Sequence, residues 1–149
     1  MEIKILKIAK EQPEQLDIRC HEITEQVREI VTFVKSRQGQ LNGVIEGKQY
    51  EIPIMDIYYI EAVDSKVFLY SSKKVYETKQ KIYELESALK EKYFLRVSKS
   101  LLLNLMKVKL IKPAVNGRFT AILQSGEEIM ISRKYVPELK AALKSKRPW

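Results

Sequence analysis

The chain has one cysteine, Cys20, and one histidine, His21, in 149 residues. A single cysteine excludes an internal disulfide and any zinc site built from several thiolates. A single histidine leaves little for nucleophilic catalysis, which needs a nucleophile, a base and usually a third group to orient the base. The two are neighbours on an alternating stretch, so they are expected to face opposite ways and to serve structure. Glycine is also sparse: five residues scattered among turns, with no Gly-rich loop to cradle phosphates. Apolar runs stop after a few residues, too short for a membrane-crossing helix. The start alternates charged and apolar residues and lacks the apolar centre of a signal peptide. The expectation is a cytoplasmic, non-enzymatic protein that needs no metal and no cofactor.

Acidic residues are scarce in one region only. Residues 90–149 hold 14 basic and 4 acidic side chains, net +10, whereas residues 1–40 are neutral and residues 41–89 carry −2. The whole excess of +8 therefore sits in the last third of the chain. A basic region attached to a near-neutral remainder is the electrostatic footprint expected for a polyanion partner; a solubilising charge gives the same composition. At 45% hydrophobic and 31% charged residues the chain reads as a folded domain rather than a disordered one, and its length allows a substantial core.

Hydrophobic periodicity divides the chain near residues 38–43. Residues 2–8 and 16–20 alternate polar and apolar, a strand pattern, with Pro13 and its neighbours as a loop. Ile23, Val27, Ile30, Val31 and Val34 recur at the helical period, predicting a helix over 22–37 with one apolar face. Residues 1–40 are thus expected to be a small ββα extension, and 44–149 a mainly β domain. There, a hairpin over 44–52 turns at Glu46-Gly47-Lys48, and strands follow at 54–61, 67–70 and 74–78. A short helix is expected over 80–91, and Phe94 to Val97 reads as extended. Strands at 108–113 and 118–124 flank Val115-Asn116-Gly117, a strong hairpin signal. A further hairpin turns at Ser125-Gly126. A last helix spans 133–145, with Ser132 as its N-cap. Lys144, Lys146 and Arg147 complement that helix's dipole.

Three basic sites fall at loops or element ends. Asp64-Ser65-Lys66 is a polar turn whose Lys66 reads equally well as an ordinary turn lysine. Arg96-Val97-Ser98-Lys99-Ser100 places two cations and two hydroxyls between apolar stretches. Arg and Lys supply charge, and Ser hydroxyls can bond phosphate oxygens. Ser132-Arg133-Lys134-Tyr135 opens the last helix, where free backbone N–H groups favour an anion but basic side chains are mildly unfavourable for the helix itself. Leu101-Leu102-Leu103 reads as a core strand or turn holding the second site rigid.

These pieces, in this order, resemble the LytTR-type DNA-binding domain over roughly residues 44–145. The likeness rests on Ile57-Tyr58-Tyr59-Ile60-Glu61-Ala62, on Phe94 to Ser100 followed by Leu102-Leu103-Asn104, on Asn116-Gly117-Arg118, and on Ile131-Ser132-Arg133. The resemblance implies an elongated, mostly β domain with two short helices, binding double-stranded DNA through loops that enter successive major grooves. Base-contacting positions fall at or near Lys66, Lys99 and Lys134, with Arg133 adjacent. Arg96, Ser98 and Ser100 join them as DNA-binding candidates, Arg96 as a phosphate clamp and Lys99 as a base reader. Most family members carry a receiver domain upstream; residues 1–40 are too short for one and lack its acidic cluster. The chain accordingly resembles the small standalone regulators of Gram-positive bacteria. For these, the resemblance implies paired direct-repeat sites, a homodimer on DNA, and a membrane protein that restrains the regulator. The helix at 22–37 is the candidate for dimerisation or signal input. The rivals are an RNA-binding β module and a protein-interaction adaptor with a basic face.

Overall fold

The computed structural model describes residues 1–144. Among these residues, ten strands and three α-helices form around two antiparallel sheets. After α1 (Glu25–Arg37) come β1 (Gln40–Ile45), β2 (Lys48–Pro53), β3 (Ile57–Val63), β4 (Lys66–Ser71) and β5 (Val75–Thr78). Then follow α2 (Ile82–Ala88), β6 (Phe94–Ser98), β7 (Leu101–Asn104), β8 (Val108–Pro113), β9 (Phe119–Leu123), β10 (Glu128–Ile131) and α3 (Val136–Lys144). The large sheet runs β2-β1-β5-β4-β3-β7-β6, and the small one β10-β9-β8. No described helix is long and apolar enough to cross a membrane.

The Leu101-Leu102-Leu103 run explains how the two sheets are held. It is strand β7, paired on both sides by β3 and β6. Successive strand side chains point to opposite faces, so the run feeds two cores. Leu101 and Leu103 pack with Val97, Leu123, Ile131 and Leu139 between the sheets and α3. Leu102 packs with Ile57, Ile60, Leu69, Leu85 and Leu89 under α2. A strand covered on both faces loses polar–apolar alternation, and all three leucines are buried. Asn104 closes β7: its Nδ2 donates to the Ile57 carbonyl at 2.8 Å, and its Oδ1 accepts from the Met106 N–H at 3.0 Å. Tyr59 bridges the sheets, donating its hydroxyl to Glu127 at 2.7 Å and stacking on Tyr70 with ring centroids 4.4 Å apart. Burial, then the Glu127 carboxylate, push the Tyr59 phenol well above its ordinary value.

Gly43 in β1 is buried, and here absence of a side chain is required. A Cβ would lie 2.6 Å from Tyr76 Cβ and 2.8 Å from Ile52 Cδ1. Tyr76 Cβ is fixed to β5, so the strand must move. Gly43→Ala is expected to destabilise the fold by about 1–3 kcal/mol, the usual cost of overpacking, measured as a lower urea midpoint with an unchanged slope.

The N-terminal extension departs from expectation. Neither strand predicted at 2–8 and 16–20 forms; residues 1–23 run without a ladder partner. Cys20 and His21, expected to be structural, are exposed there. The alternating pattern is present, but a strand exists only where a neighbour takes its backbone hydrogen bonds. The helix does form, with the Thr24 hydroxyl accepting from Val27 N–H. It buries Val27, Thr32 and Ser36, while Ile23 and Phe33 stay exposed, so the expected apolar stripe is only partly covered. The Tyr83 hydroxyl donates to Glu25 at 2.7 Å and ties α1 to α2. That bond, followed by the Lys81 charge, holds the Glu25 carboxyl below its usual range. The segment 38–43, expected as a boundary, overlaps β1 from Gln40 onward, and Leu41 belongs to the core. The last helix starts at Val136 after a 3₁₀ turn over Arg133–Tyr135, and the Ser132 side chain makes no capping bond. Lys146 and Arg147, and the end of the expected helix at 145, lie outside the described residues.

Candidate nucleic-acid interface

Strand register brings four separate turns to one end of the molecule. β3 runs antiparallel to both β4 and β7, with Val63 opposite Lys66 and Glu61 opposite Leu101. The β3–β4 turn and the β6–β7 turn are therefore neighbours, and the Ala62 N–H donates to the Ser100 carbonyl at 2.8 Å. β10 ends beside β6, where the Ser132 N–H donates to the Val97 carbonyl at 2.9 Å. Phe119, which opens β9, pairs with Ile131, so the β8–β9 turn stands next to Arg133. Lys66, Lys99, Arg118, Arg133 and Lys134 all come from this edge, against Asp64 as the one acid in these turns.

Each turn has a local cause. Asp64 and Ser65 both adopt positive φ, 50° and 67°, the conformation of a two-residue hairpin whose twist matches its strands. Lys66 is the first residue beyond it and is exposed. In the β8–β9 turn, Asn116 and Gly117 take φ of 59° and 74°. Side chains that tolerate the left-handed region are found where the chain demands it. The Gly117 site also crowds Arg133: a Cβ there would lie 3.1 Å from Arg133 Cδ. Asn116, Arg118 and Arg133 line an open cleft of about 380 Å³. Lys134 lies over the Tyr135 ring, 5.6 Å from its centroid, a cation–π contact that restrains the side chain.

The β6–β7 turn is held from inside. Arg96 Nη1 donates to the Lys99 carbonyl at 3.0 Å, and Nη2 lies 3.5 Å from Glu86 on α2. The Arg96 side chain is only 14% exposed. Its guanidinium is thus committed to shaping the turn rather than free on the surface as a phosphate clamp. Ser98 Oγ accepts from the Ser100 N–H at 3.3 Å, a second strut. What remains free to meet a partner is Lys99, exposed at the tip.

The structure therefore brings Lys66, Lys99, Ser100, Arg133 and Lys134 to one edge, with Arg96 and Ser98 behind the Lys99 turn. In the sequence Arg118 enters only as the end of the Asn116-Gly117-Arg118 motif and the start of the expected strand at 118–124, not as a contact. The available clue is its position, a cation directly after a tight turn and just before the strand that pairs with the one leading into Arg133. Among the described residues, no group of three or more His, Cys, Asp or Glu side chains is placed to hold a metal ion.

Residues 47–144 match the LytTr DNA-binding domain family. The chain belongs to the LytTr DNA-binding domain family. Its fold is that of a solved LytTr DNA-binding domain from Bacillus cereus, at TM-score 0.68 and 21% identity, over 72% of this chain and 98% of that one. The chain is 30% identical to the sensory transduction protein LytT of Bacillus cereus over 93% of its own length and 53% of that relative's. It thus spans about half the length of such LytT relatives. An HTH-type transcriptional regulator of Staphylococcus aureus is 25% identical and matches end to end, over 96% of this chain and 98% of its own. The LytTr match begins inside the β1–β2 hairpin, so residues 1–46 lie ahead of the matched span. All four turns of the basic edge lie inside it.

Proposed function

We propose that this LytTr chain is a sequence-specific transcriptional regulator that lays its four-turn edge against double-stranded DNA. The reading rests above all on convergence: Lys66, Lys99, Arg118, Arg133 and Lys134, far apart in sequence, are delivered to one end by strand register. Exposed Lys99 and Arg133 are suited to guanine O6 and N7 in successive major grooves. Lys66, Arg118 and Lys134 serve as phosphate contacts that fix the register. Arg96 and Ser98 hold the Lys99 turn in shape. Two copies bind paired direct repeats, and restraint by a membrane protein is carried by family kinship.

The test is fluorescence anisotropy with the chain's own promoter duplex, a scrambled duplex and a duplex RNA across a salt series. If the three phosphate contacts each neutralise one phosphate, log K should fall against log salt with a slope of about −2.7 for each copy bound. The promoter duplex should stay tightest at every salt. Equal binding of promoter and scrambled DNA at moderate salt would contradict specific regulation. Tighter RNA binding would favour the RNA reading, and a shallow slope the adaptor.

A further inference from the structure

Glu86 belongs to α2, outside the four turns of the basic edge, yet among the described residues it is the one carboxylate paired with Arg96. Its helix is firmly seated. Leu85 and, just past the helix end, Leu89 are fully buried in one cluster with Phe94 and Leu102, so the Glu86 backbone has little freedom to move. Arg96 divides its guanidinium between two partners: Nη1 donates to the Lys99 carbonyl at 3.0 Å, and Nη2 lies 3.5 Å from Glu86 Oε1. Its Nε is buried and makes no hydrogen bond. A cation this enclosed stays turned inward only while an opposite charge meets it.

The strand itself leaves the turn dependent on that contact. The β6–β7 ladder shifts register between Arg96 and Ser98, and such a bulge bends its strand and re-aims the residues beyond it. Arg96 spans the bulge, from its own place in the ladder to the Lys99 carbonyl. We infer that Glu86 is a positioning residue for DNA reading: its carboxylate keeps Arg96 turned inward, and Arg96 fixes the direction in which the turn presents Lys99. The inference rests on the DNA-binding reading of the edge, and Glu86 itself touches no DNA. Loss of its charge therefore acts oppositely on two kinds of duplex. Arg96, released, turns to solvent and adds a cation to the edge, which strengthens sequence-independent attraction. The Lys99 turn loses its strut, which weakens recognition of the matched sequence.

The experiment uses Glu86→Gln, which keeps the side chain's volume and removes its charge. By fluorescence anisotropy it should bind the promoter duplex about three- to tenfold more weakly, and the scrambled duplex as tightly as wild type or tighter. Arg96→Ala should also lower the preference, and adding Glu86→Gln to it should lower the preference no further, because Glu86 acts through Arg96. Weaker binding of both duplexes, the mark of a damaged fold, overturns the inference. So does tighter binding of both, the mark of a lost surface charge, or an unchanged preference, or an additive double variant. Amide hydrogen exchange on the DNA-free chain is the second readout. The Ser100 N–H, held by Ser98 Oγ at 3.3 Å, and the Ala62 N–H, held by the Ser100 carbonyl at 2.8 Å, report the turn. Both should exchange at least about threefold faster in Glu86→Gln, with the β1–β2 ladder unchanged. A wild type without preference for the promoter duplex overturns the DNA-binding reading and the role of Glu86 with it. Unchanged exchange with that preference intact overturns the role of Glu86 alone.

Discussion

Lys99→Ala and Arg133→Ala should each weaken binding to the promoter duplex by about 1–3 kcal/mol, roughly five- to 150-fold, and relax preference at one base position. The reason lies in where the structure leaves charge unspent. Lys99 sits at the tip of the β6–β7 turn with its backbone already fixed: its carbonyl is taken by Arg96, and the next carbonyl, of Ser100, by Ala62. Its exposed side chain contributes nothing to that framework, so its loss removes a contact without unfolding the turn. Arg133 stands over Gly117 beside Arg118, on the adjoining turn. Lys134→Ala should behave differently, lowering affinity for all duplexes alike and reducing the salt slope by about one. Anisotropy with matched and scrambled duplexes separates the two patterns. Wild-type affinity in both Lys99→Ala and Arg133→Ala would remove these residues from the interface.

Leu102→Ala should be among the most destabilising truncations in the chain, at about 2–5 kcal/mol in urea unfolding. Leu102 is fully buried on β7, paired on both sides by β3 and β6, among Ile57, Ile60, Leu69, Leu85, Leu89 and Phe94. Those neighbours belong to strands and a helix fixed by other contacts, so the cavity has little room to collapse. Its strand neighbour Leu103 occupies the other core, with Leu105, Leu123 and Leu139. Leu103→Ala should cost a comparable amount, although its contacts are made with the small sheet and α3. A surface loop in place of β7 would tolerate both changes within about half a kcal/mol.

Part of this was legible in the sequence. Asn116-Gly117 announced its turn because few residue pairs accept two consecutive left-handed conformations, and the structure puts both there. Lys66, Lys99, Arg133 and Lys134 stand out in the sequence as cations at element ends, where side chains reach outward. Their meeting at one edge was not legible from residues alone, since it depends on β3 pairing with β7 across some forty positions. Arg96 shows the limit at a single residue: composition makes it a cation, but only packing reveals it facing inward to Lys99 and Glu86. Gly43 and Asn104 carried no local signal either, because one is required by a neighbour's Cβ and the other by a distant carbonyl. At residues 2–8 and 16–20 the alternating pattern predicts strands that do not form, since no described neighbour takes their backbone hydrogen bonds.

Lysine-modification footprinting by mass spectrometry, with and without the promoter duplex, tests most directly whether DNA meets the basic edge. Lys66, Lys99 and Lys134 are exposed at that edge, whereas Lys48 and Lys73 are exposed at the opposite end, in or beside the β1–β2 and β4–β5 turns. The expected result is that DNA protects Lys66, Lys99 and Lys134 together and leaves Lys48 and Lys73 reactive. Protection of Lys48 and Lys73, with the three edge lysines still open to reagent, would place the DNA elsewhere and contradict the assignment.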